Sequence, residues 1–538
     1  MKTSAKPETS STNSAHFSSG DAVDLAEDKD KTIKTLQEQL KDLQHQLDWF
    51  KRQMFGEKSE KRNMEDNPYQ TTIADILNSL PELLETEEEK KQTITYQRGT
   101  AKKKVLDGSP NDSGLRFSPD VPVEEIVVTA PELEGDDRDS YDIIGYKTTY
   151  RLAQRTSSHV VLKYVRPVVK KKGTQVIKAP PAPANVIEKS FADVSFLVGM
   201  LLDKFLYHQP LYRQHQHLEN AGIFLARSTL TNLSTRAIDL LRPIYQAQLN
   251  HILLSRILAI DETPGKAGRK EKGKLKQIYY WPIMGEANEI CFTFSESRSQ
   301  QHLLDMLGDF NGTVLSDGYS AYASYVDKCM NAILAQCWAH TRRKYEEAEK
   351  SEPKACAIAL AYIGRFYEIE DRIKELDLTG DAKRHYREKY TRPAVEAFFE
   401  WNQEQRQRID LVKSDPFTKA LVYSHKREKE LKVFLSDPDL PLDTNHVERS
   451  LRVIPMGRKN WLFSWTEVGA ELIGIIQSLI VTCRMHGVNP YDYLIDVLQR
   501  IDRHPASSVH ELTPRLWKGL FADNPLRSDL YRRDNENI

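Results

Sequence analysis

Cysteine is scarce and unpaired in this sequence: Cys291, Cys329, Cys337, Cys356 and Cys483 include no C-x-x-C spacing. An odd count without framework spacing reads as reduced thiols, which argues against a disulfide-stapled scaffold and a zinc ribbon. Net charge is also lacking, with 76 basic against 77 acidic side chains. A polyanionic partner must therefore be met by local basic patches. No uninterrupted apolar run reaches bilayer-spanning length, so no membrane partner is expected. The first residues, Met1 to Asp21, are rich in Ser and Thr and lack the apolar block of a signal peptide. Together these absences point to a cytoplasmic protein.

What is present supports a large, divided fold. A chain of 538 residues exceeds one core and implies about three or four structural units. Apolar residues make up 40%, enough for a globular interior. Residues 1–24 read as a disordered tail. Within 25–62, Ile33, Leu36, Leu40, Leu43, Leu47, Phe50 and Met54 alternate spacings of three and four, a heptad seam. The flanking Gln37, Gln39, Gln44 and Gln46 are neutral, so charge does not select a partner, and a short coiled-coil homodimer is expected. The alternative is an amphipathic helix packed on its own chain.

Residues 63–120 read as a polar linker, and 121–180 as a small β-rich module with strands near Glu125–Thr129, Tyr150–Arg155 and Val160–Val165. Residues 181–250 are helical. There Leu211, Tyr212, His215 and Leu218 share a face, Gly222 makes a turn and Ser228 can cap a second helix, as in a helix-turn-helix. Arg213, Arg227 and Arg236 are its candidate phosphate contacts; plain scaffolding is the alternative.

Residues 251–350 carry the chemistry. Asp261 ends the apolar run Ser255–Ile260, and Asp317 ends Gly312–Ser316 with Gly318 behind it. After a helical insertion at 351–440, a segment at 441–485 completes the core with Glu448 in the predicted helix Asn445–Arg452, and a C-terminal element occupies 486–538. Three strands, a helix, a strand, a short helical link and a strand form the succession of a ribonuclease-H-like α/β fold. Carboxylates at the tips of buried strands can converge on Mg²⁺ or Mn²⁺, which take hard oxygen ligands and substrate phosphate oxygens together. Each acid also has a structural reading: Asp261 as a strand cap, Asp317 as an Asx-turn, Glu448 as the partner of Arg452. Glu262 is expected to point away from Asp261, and Asp443 and Asn445 to cap the Glu448 helix.

The basic residues Arg342, Arg343, Lys344, Arg449, Arg452, Arg458 and Lys459 bracket these acids and are candidate DNA-phosphate contacts, with His340 beside them. Cys337 and His340 lack the further ligands a zinc site needs. Trp461, Phe463 and Trp465 alternate and are candidates either to stack on an unpaired base or to pack in the core.

Several long motifs carry a resemblance. They are Phe55-Gly-Glu-Lys-Ser-Glu-Lys61 after the heptads, Asp261-Glu-Thr-Pro264, Ser316-Asp-Gly-Tyr-Ser-Ala-Tyr322 and Cys337-Trp-Ala-His-Thr-Arg-Arg-Lys344. Asp443-Thr-Asn-His-Val-Glu-Arg449, Gly457-Arg-Lys-Asn-Trp-Leu-Phe463 and Gly487-Val-Asn-Pro-Tyr-Asp-Tyr493 continue it. In these the chain resembles the DDE transposases of the insertion sequence 66 family, the large transposase subunit of those bacterial elements. The resemblance implies that Asp261, Asp317 and Glu448 hold two Mg²⁺ ions, that double-stranded DNA (element ends and target) is the substrate, and that small accessory proteins of the same element take part. It implies strand cleavage and transfer without a covalent protein intermediate. Many members carry a cysteine-rich zinc module where this chain has its cysteine-free β segments, so no zinc is expected. The alternatives are a catalytically inactive DNA-binding descendant and a tyrosine recombinase using His340, Arg342, Arg343 and Tyr345.

Overall fold

The structure is a computed structural model that describes residues 115–135, 137–155, 158–271, 274–462, 464 and 466–531. The heptad seam from Ile33 to Met54 lies outside the described residues, as do Phe463 and Trp465.

Strands β1 (Arg116–Phe117) and β2 (Val123–Val127) precede a long hairpin of β3 (Tyr141–Arg155) and β4 (Ser158–Lys171), and β5 (Ile177–Lys178) turns back on β4. β2 runs parallel to β4, giving the order β2-β4-β3 with β5 beside β4. The turn into β5 contains Gly173 at φ 72°, a left-handed conformation that glycine adopts without strain. Leu152 and Val161 on the hairpin pack with Phe196, Leu197 and Met200. Tyr164 donates to Asp529 at 2.7 Å, tying the hairpin to the C-terminal segment.

Four helices follow: α1 (Val194–Phe205), α2 (Leu211–Asn220), α3 (Arg227–Leu240) and α4 (Arg242–Ile252). Gly222, at φ 78°, makes the turn between α2 and α3. Ahead of α3, β6 (Ile223–Phe224) pairs with β1. The cap differs from expectation. Ala226 occupies the N-cap of α3, and Ser228 is already inside the helix. The shared face is also narrower, because Leu218 and His215 are buried while Tyr212 stays exposed beneath the Arg227 guanidinium.

The central sheet contains β7 (Ile257–Ile260), β8 (Thr263–Glu271), β9 (Lys274–Met284), β10 (Ile290–Ser295), β11 (Thr313–Ser316) and β12 (Ile333–Gln336). Its order is β10-β9-β7-β11-β12, with β8 on β9. β7, β11 and β12 run parallel, whereas β9 is antiparallel to β7, β8 and β10. Central strands covered on both faces read as continuous apolar runs, and every residue of β7 and β11 is buried. Leu258 and Ile260 face one layer with Trp281, Leu303 and Tyr325, on the side of α5 (Gln300–Leu307) and α6 (Ser320–Val326). Ala259 and Leu315 face the other layer.

The remaining helices are α7 (Trp338–Ala348), α8 (Pro353–Glu375), α9 (Gly380–Tyr386), α10 (Arg392–Arg406), α11 (Pro416–His425), α12 (Glu428–Lys432), α13 (Asn445–Leu451), α14 (Val453–Trp461), α15 (Glu467–Met485), α16 (Pro490–Arg500) and α17 (Pro514–Leu520). Between α9 and α10 the chain makes a π-turn, Arg387–Thr391, and Pro393 stands in the first turn of α10 where its missing N–H does least harm.

α15 is long and apolar enough to cross a membrane by length and composition alone. It is instead a core helix. Gly474 lies so close to the Phe292 carbonyl that a Cβ would collide with it. Ser478 Oγ accepts from Phe292 N–H at 2.8 Å, and Gln477 donates to the Phe205 carbonyl at 2.8 Å.

A candidate carboxylate site at the strand ends

Two of the predicted acids are placed by strand register. β7 and β11 are adjacent and parallel, with Thr313 opposite Ile257 and Leu315 opposite Ala259. Carried two residues further, that register sets Asp317 against Asp261 at the same end of the sheet, where neighbouring strands lie roughly 5 Å apart. Each aspartate uses one oxygen locally. Asp261 Oδ1 accepts from the Glu262 N–H and Asp317 Oδ1 from the Tyr319 N–H, both at 2.8 Å. The Asx-turn at Asp317 therefore exists, and it orients the carboxylate while leaving its second oxygen without a protein hydrogen bond among the described residues.

Glu448 arrives from the first turn of α13. Thr444, the residue before that helix, donates both N–H and Oγ1 to Cys337 Sγ at 3.3 Å, and Trp338 N–H donates to the Leu442 carbonyl at 3.1 Å. Asp443 accepts from Asn445 N–H at 3.0 Å and from Tyr367 Oη of α8 at 2.9 Å. The Cys337 and Trp338 motif thus moors the Glu448 helix to the end of β12. Farther back, the fully buried Arg387 holds the segment returning from the insertion. Its guanidinium grips both oxygens of Glu370 at 2.8 Å and donates to the carbonyls of Phe434, Asp437 and Leu440. All five guanidinium donors are satisfied.

The three carboxylates act on one another. Burial first, then the charges of Asp317 and Glu448, push the Asp261 carboxyl up to about 7, against the pull of Arg343 and Arg298. Glu448 meets Arg343 Nη2 at 3.4 Å and His340 Nε2 at 3.5 Å, and has no ion pair with Arg452. Burial lowers the His340 pKa despite Glu448 and Asp317, so the imidazole is neutral near pH 7 and Arg343 supplies the charge. Glu448 Oε1 is buried and accepts no hydrogen bond.

Among the described residues, no group of three or more His, Cys, Asp or Glu side chains stands in an arrangement that could hold a metal ion. The residues best suited to take one are nonetheless these acids. They offer hard oxygen donors, one of them buried without a hydrogen bond, in mutual repulsion that a divalent cation would relieve.

Glu262 sits apart from its neighbour, as alternation along an extended chain requires. Its nearly fully buried carboxylate accepts from Tyr322 Oη at 2.7 Å and pairs with Arg298. Arg298 in turn covers the Tyr319 ring at 3.8 Å and accepts the Tyr319 hydroxyl on its carbonyl at 2.6 Å. Sequence reasoning missed this support. Its signal was the pair of tyrosines following Asp317.

The candidate basic residues fall into two groups. Arg342 pairs with Glu346 and Lys344 with Glu347, both at 2.8 Å, and Arg458 donates to the Pro264 carbonyl. Arg449, Arg452 and Lys459 are exposed and enter no ion pair among the described residues. Trp461 is half-buried. Its ring lies over Gly457, with Phe205 and His208 each 5.7 Å away, so most of its surface is spent on packing.

The chain matches the sequence profile described as Transposase IS66 family over residues 189–472, a span that includes Asp261, Asp317 and Glu448. It also matches the IS66 C-terminal element over 478–515 and Transposase C of IS166 homeodomain over 42–126. Similar proteins occur in Sinorhizobium fredii. The uncharacterized protein y4jD is 31% identical over 63% of this chain and 68% of its own length. The uncharacterized protein y4hP is 27% identical over 70% of this chain and 71% of its own. With more than half its length inside one family profile, the chain belongs to the IS66 family of transposases.

Proposed function

We propose that this transposase cuts and rejoins double-stranded DNA by a DDE mechanism, with Asp261, Asp317 and Glu448 as ligands of two Mg²⁺ or Mn²⁺ ions. The observation that carries the reading is the register of β7 and β11, whose continuation brings two aspartates to the same end of the sheet, with the half-buried Glu448 within electrostatic reach. The strand order β10-β9-β7-β11-β12, three antiparallel strands followed by two parallel ones, supports a ribonuclease-H-like core, where the first and fourth strands carry such acids. When bound, the ions would lower the pKa of a nucleophilic water or DNA 3′-hydroxyl and stabilise the departing oxygen.

The chain's own part is positional. Asp261 and Asp317 present one unengaged oxygen each from the ends of two central strands. Glu448 comes from a helix fixed by Cys337 and Asp443, with Arg343 and His340 beside its carboxylate. Arg343, half exposed, can also meet a DNA phosphate. Arg449, Arg452 and Lys459 supply further phosphate contacts from the following helices. Dimerisation through the heptad seam, and dependence on accessory proteins of the same element, belong to this reading.

A tyrosine recombinase is disfavoured by the position of Tyr345. It is fully buried, with its hydroxyl bonded to Ser424 and Asn402 at 3.0 Å, out of reach of a DNA strand. An inactive DNA-binding descendant is separated by experiment. Asp261→Asn, Asp317→Asn and Glu448→Gln should each bind element-end DNA in a mobility-shift assay yet yield no cleaved strand. Full cleavage by any one of them removes that residue from the site.

A further inference from the structure

The helical insertion reaches back to the loop that carries Asp317. Arg427, between α11 and α12, donates from Nη2 to the Gly318 carbonyl at 2.8 Å, across 109 residues of sequence. Its guanidinium lies over the Tyr423 ring at 3.9 Å and donates from Nη1 to the Tyr423 carbonyl at 3.3 Å. It enters no ion pair among the described residues, and its Nε is buried without a hydrogen-bond partner. Gly318 has no positive φ, so the backbone does not require glycine there. Space does. A Cβ would collide with Tyr423 Oη and stand 2.7 Å from Arg427 Nε.

The Gly318 carbonyl and the Tyr319 N–H belong to one planar peptide unit. Arg427 holds the first, and the second donates to Asp317 Oδ1 at 2.8 Å. Fixing the plane at its oxygen therefore fixes the direction of the N–H that aims the carboxylate. On the opposite side, the Tyr319 hydroxyl is anchored to the Arg298 carbonyl.

We propose that Arg427 and Tyr423 are positioning residues by which the insertion clamps the Gly318–Tyr319 peptide and sets the Asp317 carboxylate for metal binding. This rests on the reading of Asp317 as a metal ligand. The insertion then does more than separate β12 from the Glu448 helix, since it braces both Asp317 and the segment that carries Glu448.

The test titrates Mn²⁺ into the full-length protein with electron paramagnetic resonance as readout, alongside thermal melting, mobility shift on duplex DNA and Mn²⁺-dependent nicking. Arg427→Met should weaken Mn²⁺ binding about 10–100-fold, as loss of a group that orients a ligand does, with duplex binding unchanged. Arg427→Lys, which keeps one donor, should recover part of it. Gly318→Ala should lose Mn²⁺ affinity, and adding Tyr423→Phe, which removes the colliding oxygen, should restore part of that loss. Asp317→Asn is the control. If Asp317→Asn loses Mn²⁺ while Arg427→Met and Gly318→Ala titrate normally, the clamp is wrong and the metal site stands. If Asp317→Asn binds Mn²⁺ normally, the metal reading falls and the clamp's purpose with it. A fall in melting temperature shared equally by Arg427→Met and Arg427→Lys, with no change in Mn²⁺ affinity, reduces the contact to scaffolding and overturns the proposal.

Discussion

Asp261 sits under opposing demands: burial at a strand end favours its neutral form, while any role as a ligand needs it ionised. Its carboxyl is raised from the ordinary 3.8 to about 7. Below about pH 4 the folded and unfolded chains are both protonated there and the group is neutral to stability. Between the two values the folded chain holds a proton that the unfolded chain has released, so stability falls as pH rises, and above about 7 the full penalty is present. Asp261→Asn removes the charge at nearly constant shape. In metal-free buffer it should be more stable than the parent at pH 8 by roughly 2–4 kcal/mol, a gap that closes near pH 4 in urea titrations. Equal stability at both pH values would mean the carboxylates do not share a field. Asp261 and Asp317 were legible in the sequence because each ends an apolar run. Arg427 was not, since nothing local marks an arginine 109 residues from the carbonyl it holds.

At the scale of elements, the π-turn Arg387–Thr391 does specific work. It places a guanidinium inside the insertion, where Glu370 neutralises it and three carbonyls of the segment leading to Glu448 accept its remaining protons. Removing one partner of a buried pair leaves the other charged and desolvated. Arg387→Met should therefore destabilise the protein by about 3–5 kcal/mol, and Arg387→Met with Glu370→Met by clearly less, read from denaturant midpoints. Additive losses in the double variant would show that the pair is not the unit. Pro393 marks an interruption of the helical pattern here, but the π-turn ahead of it is not legible from local residues. β8 was harder still. Thr263-Pro-Gly-Lys-Ala-Gly-Arg-Lys-Glu271 has a proline, two glycines and four charges, and nothing in it reads as a strand. It exists because it lies at a sheet edge against β9, where proline is tolerated and pairing outweighs propensity.

For the whole molecule, near-zero net charge makes position decisive. Arg449, Arg452 and Lys459 are exposed and unpaired among the described residues, while Arg342 and Lys344 are engaged with glutamates on their own helix. Alanine at any of the first three should lower the slope of log K against log salt for duplex binding by about 1, measured by fluorescence anisotropy. Alanine at Arg342 or Lys344 should change it less. An unchanged slope for all three exposed residues would move the DNA path elsewhere on the surface.

The sequence by itself determined the α/β character of the described region, the two buried strands that end in aspartate, and the helix that offers Glu448. Those features are local: an apolar run ends where burial ends, and helical spacing repeats within a few residues. Tertiary structure alone decided the parallel register that sets Asp317 beside Asp261, the β8 edge strand, and the mooring of Glu448 by Cys337, Asp443 and Arg387. It also decided that Glu448 faces Arg343 instead of Arg452. Each of these joins residues far apart in the chain, and close packing chooses such partners by fit, which no local pattern encodes.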